Sequence, residues 1–430
     1  MSSPHGWERR SLTSVLQNEE KTQHVFPFFF ECLLRFARPR LVLTTSSLMN
    51  QLPTFSDFFA GIGFVRIALE ARGWVCRYEV DHSPLKARLH RHHFGASDLY
   101  DIRDVAHVEA DDLPDVTLAH ASFPCTDLSV AGSRQGLHEG ESAAFWHFAR
   151  LIESLQDRRP SLILIENVEG LLSSHGGADL WTLLNTLNEL GYAVDLLSID
   201  AASFVPQSRG RLFIPAVFQD TLQDALAQAY ALDLPTEARS SKVKGFIRSH
   251  PELNWSLRPL PPLPSRQQVL ADVVDPNEPW WDDFRTTYLL NQMFDRHLAW
   301  LRSAQNKLEW SYGTVFRRMR MRDGEKRSTA ELRTDGVAGC LRTPKGGSAR
   351  QIIVRAGFGR LDARLLNAKE AARLMGADAF RISDDEPLND YLFGFGDAVC
   401  VPAVAWVSEH WLEPALRDLQ ERPVSRLVSA

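Results

Sequence analysis

The heptapeptide Phe123-Pro124-Cys125-Thr126-Asp127-Leu128-Ser129 holds the side chain best placed to act as a nucleophile. An apolar run, Val116–Ala121, precedes it and reads as a buried strand, so Cys125 stands just past a strand end with its backbone held by proline. Taken alone, a Pro-Cys turn is more often a packing detail, because cysteine is among the most buried residue types. Three other groups change that reading. Ile165-Glu166-Asn167-Val168 closes the most apolar strand of the chain and puts a carboxylate at its carboxyl end, where α/β sheets bind ligands. Partial desolvation there suits an acid to hold or donate a proton. Pro206-Gln207-Ser208-Arg209-Gly210-Arg211 sets two guanidinium groups at i and i+2, on one side of an extended chain, where they can clamp an anion or a polarised carbonyl.

The third group is Phe59-Ala60-Gly61-Ile62-Gly63, between a strand and a helix. Glycines there let a ligand approach the backbone, and the helix N-terminus favours negative charge. Glu79 closes the following strand 18 positions after Gly61, near the spacing of a ribose-holding acid. Phe64 stands where a dinucleotide fingerprint would continue towards its third glycine, so a smaller nucleoside ligand without a pyrophosphate fits better.

These groups need a scaffold, and the alternation of patterns supplies one. Strands are expected at Phe55–Phe59, Val75–Val80, Asp115–Ala121, Ser161–Ile165, near Ala193–Ile199 and at Arg211–Phe218. Helices are expected at Val65–Arg72, from Pro84 to about His93, at Ala143–Gln156 and at Leu180–Leu190. That rhythm implies βαβ units and a mostly parallel sheet. After about Asp220 it stops. Residues 235–285 are rich in proline and tryptophan, and Val315–Arg355 carries 11 Lys/Arg against 4 acids in a chain whose formal net charge is -6. A solvated basic face and a polyanion-binding surface are both open for that run. From about Leu361 the helix–strand alternation returns, with Ala368–Met375 helical.

A length of 430 residues exceeds one ordinary core, and 44% hydrophobic with 24% charged residues is the composition of a soluble globular protein. The five cysteines are scattered, with no CxxC or Cys/His cluster, which argues against a disulfide framework or a metal site and fits a reducing cytosol. Val25–Phe30 is interrupted by Pro27 and lacks the flanks of a signal peptide, and no membrane span is expected. Met49 stands just before the first strand, so residues 1–50 read either as a dispensable extension or as a packed amphipathic one.

In order, FAGIG, an acid-ended strand, FPCTDLS, ENV, QSRGR and Phe395-Gly396-Asp397-Ala398-Val399 resemble the cytosine-C5 methyltransferases that act on DNA. The resemblance runs from about Thr54 to Phe218 and again from about Gly339 to Trp406. It implies an S-adenosylmethionine-dependent methyltransferase fold: α/β, Rossmann-like, with a mixed, mostly parallel sheet and a smaller target-recognition domain. The expected organisation is an extension (1–50), a first catalytic part (51–217), the recognition domain (218–356) and a second catalytic part (357–430).

Residue by residue, the resemblance assigns S-adenosylmethionine to Phe59, Gly61, Gly63, Glu79, Asp101, Phe123 and Asp397. Cys125 matches the nucleophile for cytosine C6, Glu166 the acid at N3, and Arg209 with Arg211 the pair supporting the extruded base and the cysteine loop. Pro124, Ser129, Asn167 and Gln207 fall on substrate-contacting positions, and the loop Ser129–Gly140 would close over DNA. The implied enzyme is a cytoplasmic, monomeric methyltransferase of double-stranded DNA, working on a flipped base and paired with a restriction or other defence system. The alternatives are the RNA-directed branch of the family and a catalytically silent DNA-binding relative. Two departures stand out: Asp397 where the family usually has asparagine, and the small residues of Glu141-Ser142-Ala143-Ala144-Phe145 where a leucine often lines the cofactor pocket.

Overall fold

The structure, a computed structural model, describes residues 52–124, 144–218, 225–322, 324–343 and 350–421. Cys125, Ser129, the 129–140 loop, residues 141–143 and residues 1–51 lie outside the described residues.

The main sheet is built on five parallel strands: β1 (Thr54–Phe58), β2 (Val75–Val80), β3 (Tyr100–Asp101), β4 (Leu118–Ala121) and β5 (Leu162–Val168). They lie in the order β3-β2-β1-β4-β5. β6 (Tyr192–Val194) and β7 (Leu197–Asp200) both pair antiparallel with β8 (Gly210–Phe218), which runs antiparallel to β5. The sheet is therefore mixed, as expected. Its central strands are apolar and buried, as a sheet covered on both faces requires. Helices α1 (Phe64–Glu70), α2 (Pro84–Phe94), α3 (Ala144–Ser154) and α4 (Ala178–Glu189) provide crossovers. Ser83 caps α2 by accepting from the Lys86 N–H at 3.3 Å, and Pro84 occupies its first turn, where no N–H partner is needed.

Chain order reverses between β1 and β4. Successive strands build outward from β1 through β2 and β3; the chain then crosses back and builds from β4 to β5 on the other side. Loops leaving the carboxyl ends of β1 and β4 diverge and open a crevice, the usual ligand position of such sheets.

The single strand expected near Ala193–Ile199 is two strands, and the break contains a charge. Asp195 is fully buried between β6 and β7. Arg239 Nε donates to it at 3.2 Å, its Nη2 makes a second contact, and Trp411 Nε1 donates at 2.9 Å.

Beyond β8 come α5 (Ala225–Asp233), α6 (Ser241–Ser249), the short α7 (Leu270–Val273), α8 (Asp283–Leu290) and α9 (Asp295–Gln305). A second sheet follows, formed by β9 (Ser311–Arg322), β10 (Glu325–Arg333), β11 (Ile352–Gly357) and β12 (Arg360–Leu365) in the order β10-β9-β11-β12. All its pairings are antiparallel, and its own core gathers Leu289, Met293, Leu301, Val315, Ile352 and Val354. β9 outruns β11. The β11 pairing covers only Ser311–Val315, while β10 pairs with β9 out to Arg322, so the remainder is a two-stranded ribbon.

The chain then returns to the first core through α10 (Ala368–Leu374), α11 (Leu388–Asp397), α12 (Val401–Val407) and α13 (Glu413–Glu421). Phe395 of α11 packs on Phe64 of α1 with ring centroids 5.7 Å apart. The run Leu388–Glu421 is long and apolar enough to cross a membrane by length and composition, but 67% of its apolar window is buried in the fold, as core helices are.

Removing the Asp195 carboxylate would leave the Arg239 guanidinium buried without its counter-charge. Asp195→Ala is expected to lower unfolding free energy by about 3–5 kcal/mol, read from urea denaturation. A loss under about 1 kcal/mol would contradict this role.

Candidate active site

Three of the five residues in the turn after β1 have left-handed backbone: Phe59 (φ 62), Gly61 (φ 61) and Gly63 (φ 83). For glycine this carries no penalty, whereas a phenylalanine there stores about 1–3 kcal/mol and persists only because its surroundings hold it. Gly63 is also demanded by space, since a Cβ would stand 2.5 Å from the Phe94 ring and 2.8 Å from His90. The turn is pinned by Ala60 N–H donating to the Val80 carbonyl (3.0 Å), Tyr100 hydroxyl donating to the Gly61 carbonyl (2.7 Å) and Gly61 N–H donating to Asp81 Oδ2 (3.0 Å).

That last contact corrects the expectation for Glu79. Glu79 is fully buried, and its oxygens are taken by Arg66 Nη1 at 2.8 Å and by His90 Nε2 at 3.0 Å. It faces the sheet interior as the register partner of Asp57. The acid at the glycine turn is Asp81, just past the end of β2 and 20 positions after Gly61. Spacing alone did not separate the two.

Lys86 Nζ lies 3.0 Å from Asp397 Oδ2 and 3.8 Å from Asp81 Oδ2. The carboxylate at 397, in place of the expected amide, thus has a cation facing it. Asp101 accepts from the Tyr78 hydroxyl at 2.9 Å and pairs with Arg103, leaving its neighbour Ile102 exposed at the rim.

At the carboxyl end of β4, Phe123 is buried against Phe145 (centroids 5.6 Å apart), and Pro124 is the last described residue before Cys125. Glu166 closes β5 beside it, 6% exposed, with Arg211 Nε 3.0 Å from its Oε1. This is an ion pair by distance; that oxygen makes no well-angled hydrogen bond among the described residues. The pairing follows from register, since Glu166 and Arg211 sit near each other across the antiparallel β5–β8 ladder.

Two expected substrate contacts are instead internal ties. Asn167, 2% exposed, donates to the Phe123 carbonyl at 3.4 Å and accepts from the Val168 N–H at 2.8 Å, bracing β4 against β5. Gln207 is fully buried. Its amide nitrogen donates to the Leu374 carbonyl at 2.6 Å and meets Met375 Sδ at 3.1 Å, and its oxygen accepts from the Leu341 N–H at 2.9 Å.

The arginines also diverge. Arg209 precedes β8, so the extended-chain rule that put it beside Arg211 does not reach it. Its guanidinium is buried and donates to the carbonyls of Leu341 (3.1 Å), Gly396 (3.2 Å) and Ala398 (2.6 Å). It joins the start of β8 to the end of α11, while Arg211 serves Glu166.

A strained glycine turn with an acid beside it stands at the order reversal of a mixed α/β sheet. The Glu166–Arg211 pair stands on the neighbouring strands. The family model of C-5 cytosine-specific DNA methylase matches residues 53–412, and the chain belongs to that family. It is 36% identical over 167 residues to the Type II methyltransferase M.DsaV of Dactylococcopsis salina, covering 39% of this chain and 46% of that protein. With the Type II methyltransferase M.BsuFI of Bacillus subtilis it shares 32% identity over 244 residues, 56% of this chain and 55% of that one. The chain spans about half the length of these curated relatives. The solved structures of Entamoeba histolytica EhMeth (TM-score 0.54, 12% identity, 86% of this chain and 100% of that one) and S. pombe Dnmt2 (0.51, 15%, 85% and 99%) share its fold.

Proposed function

We propose that this chain transfers a methyl group from S-adenosylmethionine to C5 of cytosine within a defined site of duplex DNA, through a covalent bond between Cys125 and C6 of a flipped base. The observation that carries this reading is the convergence at one crevice of the Phe59–Gly63 turn with Asp81, of Pro124 leading to Cys125, and of Glu166 with Arg211.

The residues present suit the cofactor. The left-handed turn brings bare backbone to the crevice, Asp81 offers a carboxylate for ribose hydroxyls, and Phe59 offers a ring for the adenine. When bound, S-adenosylmethionine supplies an electrophilic methyl group. The protein does the rest. Cytosine C5 is too weak a nucleophile unaided. The Cys125 thiolate adds to C6 while Glu166 holds a proton at N3, and the ring electrons then sit on C5, which takes the methyl. Loss of the C5 proton and departure of the thiolate restore the aromatic ring. A thiolate both adds and leaves readily. Arg211 orients the Glu166 carboxyl, and Arg209 acts at one remove by fixing backbone.

For DNA, the support is the ribbon formed by the outer parts of β9 and β10. It exposes Arg318, Arg320, Lys326 and Arg327, with Met319 57% and Met321 68% exposed between them. A two-stranded ribbon fits a major groove, and its charge suits phosphates. The second sheet runs to Leu365, so we place the end of the recognition domain there rather than at residue 356. The Type II names of its relatives support pairing with a restriction system.

Bisulfite sequencing of DNA from cells expressing the chain is expected to show methylcytosine at one defined sequence, and Cys125→Ser is expected to abolish it. Methylation of tRNA with none in DNA, or full activity of Cys125→Ser, would refute the proposal. Calorimetry of S-adenosylhomocysteine binding separates the two acids. Asp81→Ala is expected to weaken binding about tenfold, or ~1.4 kcal/mol, with little change in melting temperature, whereas Glu79→Ala lowers the melting temperature. Unchanged affinity in Asp81→Ala would return the ribose role to another residue.

A further inference from the structure

Arg209 poses a charge problem. Its side chain is 2% exposed, and among the described residues no carboxylate lies within ion-pair distance of its guanidinium. Three of its acceptors are neutral backbone carbonyls, and the fourth is Cys340 Sγ, 3.4 Å from Nη1. A buried cation without a counter-ion is strongly unfavourable, and among the described residues cysteine is the one group in that shell able to become an anion.

We propose that Cys340 stands as a thiolate in the folded protein, the counter-ion of Arg209, and is a second reactive thiol in addition to the proposed nucleophile. It is a positioning residue: through Arg209 it fixes the ties to Gly396 and Ala398 at the end of α11. The charged groups around it agree. Arg209 comes from the start of β8, Arg211 from β8 itself and Arg342 from its own segment; Glu166 of β5 acts on Arg209. Burial alone would push the Cys340 thiol up, but these three guanidiniums outweigh it and hold the thiol below its ordinary value. The sulfur also lies 3.3 Å from the Leu341 carbonyl, an acceptor a neutral thiol could donate to. Arg209 Nη1 touches that same oxygen at 3.1 Å, so the cation bridges both atoms and relieves their repulsion. Cys340 is only partly buried.

The other described cysteines form a built-in contrast. Both are buried; Cys400 is pushed up to about 12 by its burial, and Cys76 is raised further by burial and the nearby Glu79.

The test is iodoacetamide labelling of the full chain carrying Cys125→Ser, across pH 5–9, with each cysteine followed by peptide mass spectrometry. The thiolate displaces iodide and forms a sulfur–carbon bond, so labelling follows the thiolate fraction. Partial burial scales the rate and leaves the midpoint unchanged. Cys340 is expected to show a midpoint about one pH unit or more below that of the same thiol in the urea-unfolded chain, with Cys76 and Cys400 unlabelled in the folded protein. Arg209→Met is expected to move the Cys340 midpoint up, and Arg342→Met, at an exposed position, to move it up by less. A folded midpoint equal to the unfolded one, or one that neither variant moves, overturns the proposal. The labelling reports on the thiol alone, so its failure leaves the proposed methyl transfer standing.

Discussion

In the main sheet the strand order reverses between β1 and β4, and the proposed site residues stand at the strand ends on either side of that line. Parallel strands need long crossovers, so the turns after β1 and β4 diverge and cannot fill the gap between them. The floor of the crevice is polar. Glu79, Asp57 and His120 are register neighbours on β2, β1 and β4, all fully buried, with His120 Nδ1 2.7 Å from Asp57 Oδ1. Burial pushes the Asp57 carboxyl up, against the pull of His120. Arg66 and His90 reach in from α1 and α2 to satisfy Glu79, which fixes both helices to the strands whose ends they follow. Charge pairing at the base thereby sets the position of the glycine turn above it.

The last part of the chain closes what the first part begins. Gln207 and Arg209 take carbonyls from the segments after residues 338 and 373, Trp411 reaches Asp195 in the break between β6 and β7, and Lys86 faces Asp397 across the crevice. Each tie joins residues more than 100 positions apart. The region between, with its own antiparallel sheet, is inserted into a core that the later helices complete.

Much of the first half was legible. Apolar periodicity located β2 at Val75–Val80 and α2 at its Ser-Pro start, and the order of FAGIG, FPC, ENV and QSRGR fell on successive strand ends. Side-chain destinations were less legible. Glu79 and Asp81 both suit an acid-after-strand pattern, and only pairing shows that one is consumed by Arg66 and His90 while the other meets Gly61. Asn167 and Gln207 have the polarity of ligand contacts but are buried and tied to backbone groups of other segments, partners the sequence does not display. The basic run was open between a solvated face and a binding surface; its first part, to Arg333, lies in a β-hairpin, a pattern its many arginines hid. Cys340 carried no motif at all, and its interest comes only from the buried arginine beside it.

Mass spectrometry of the chain after incubation with S-adenosylmethionine and duplex DNA bearing 5-fluorocytosine at the target is the most direct test of the central claim. Fluorine cannot leave C5 as a proton does, so the account predicts a stable adduct in which Cys125 is joined to C6 of a methylated base. Recovery of unmodified chain and DNA at a site where ordinary cytosine is methylated, or an adduct on another residue, would contradict it.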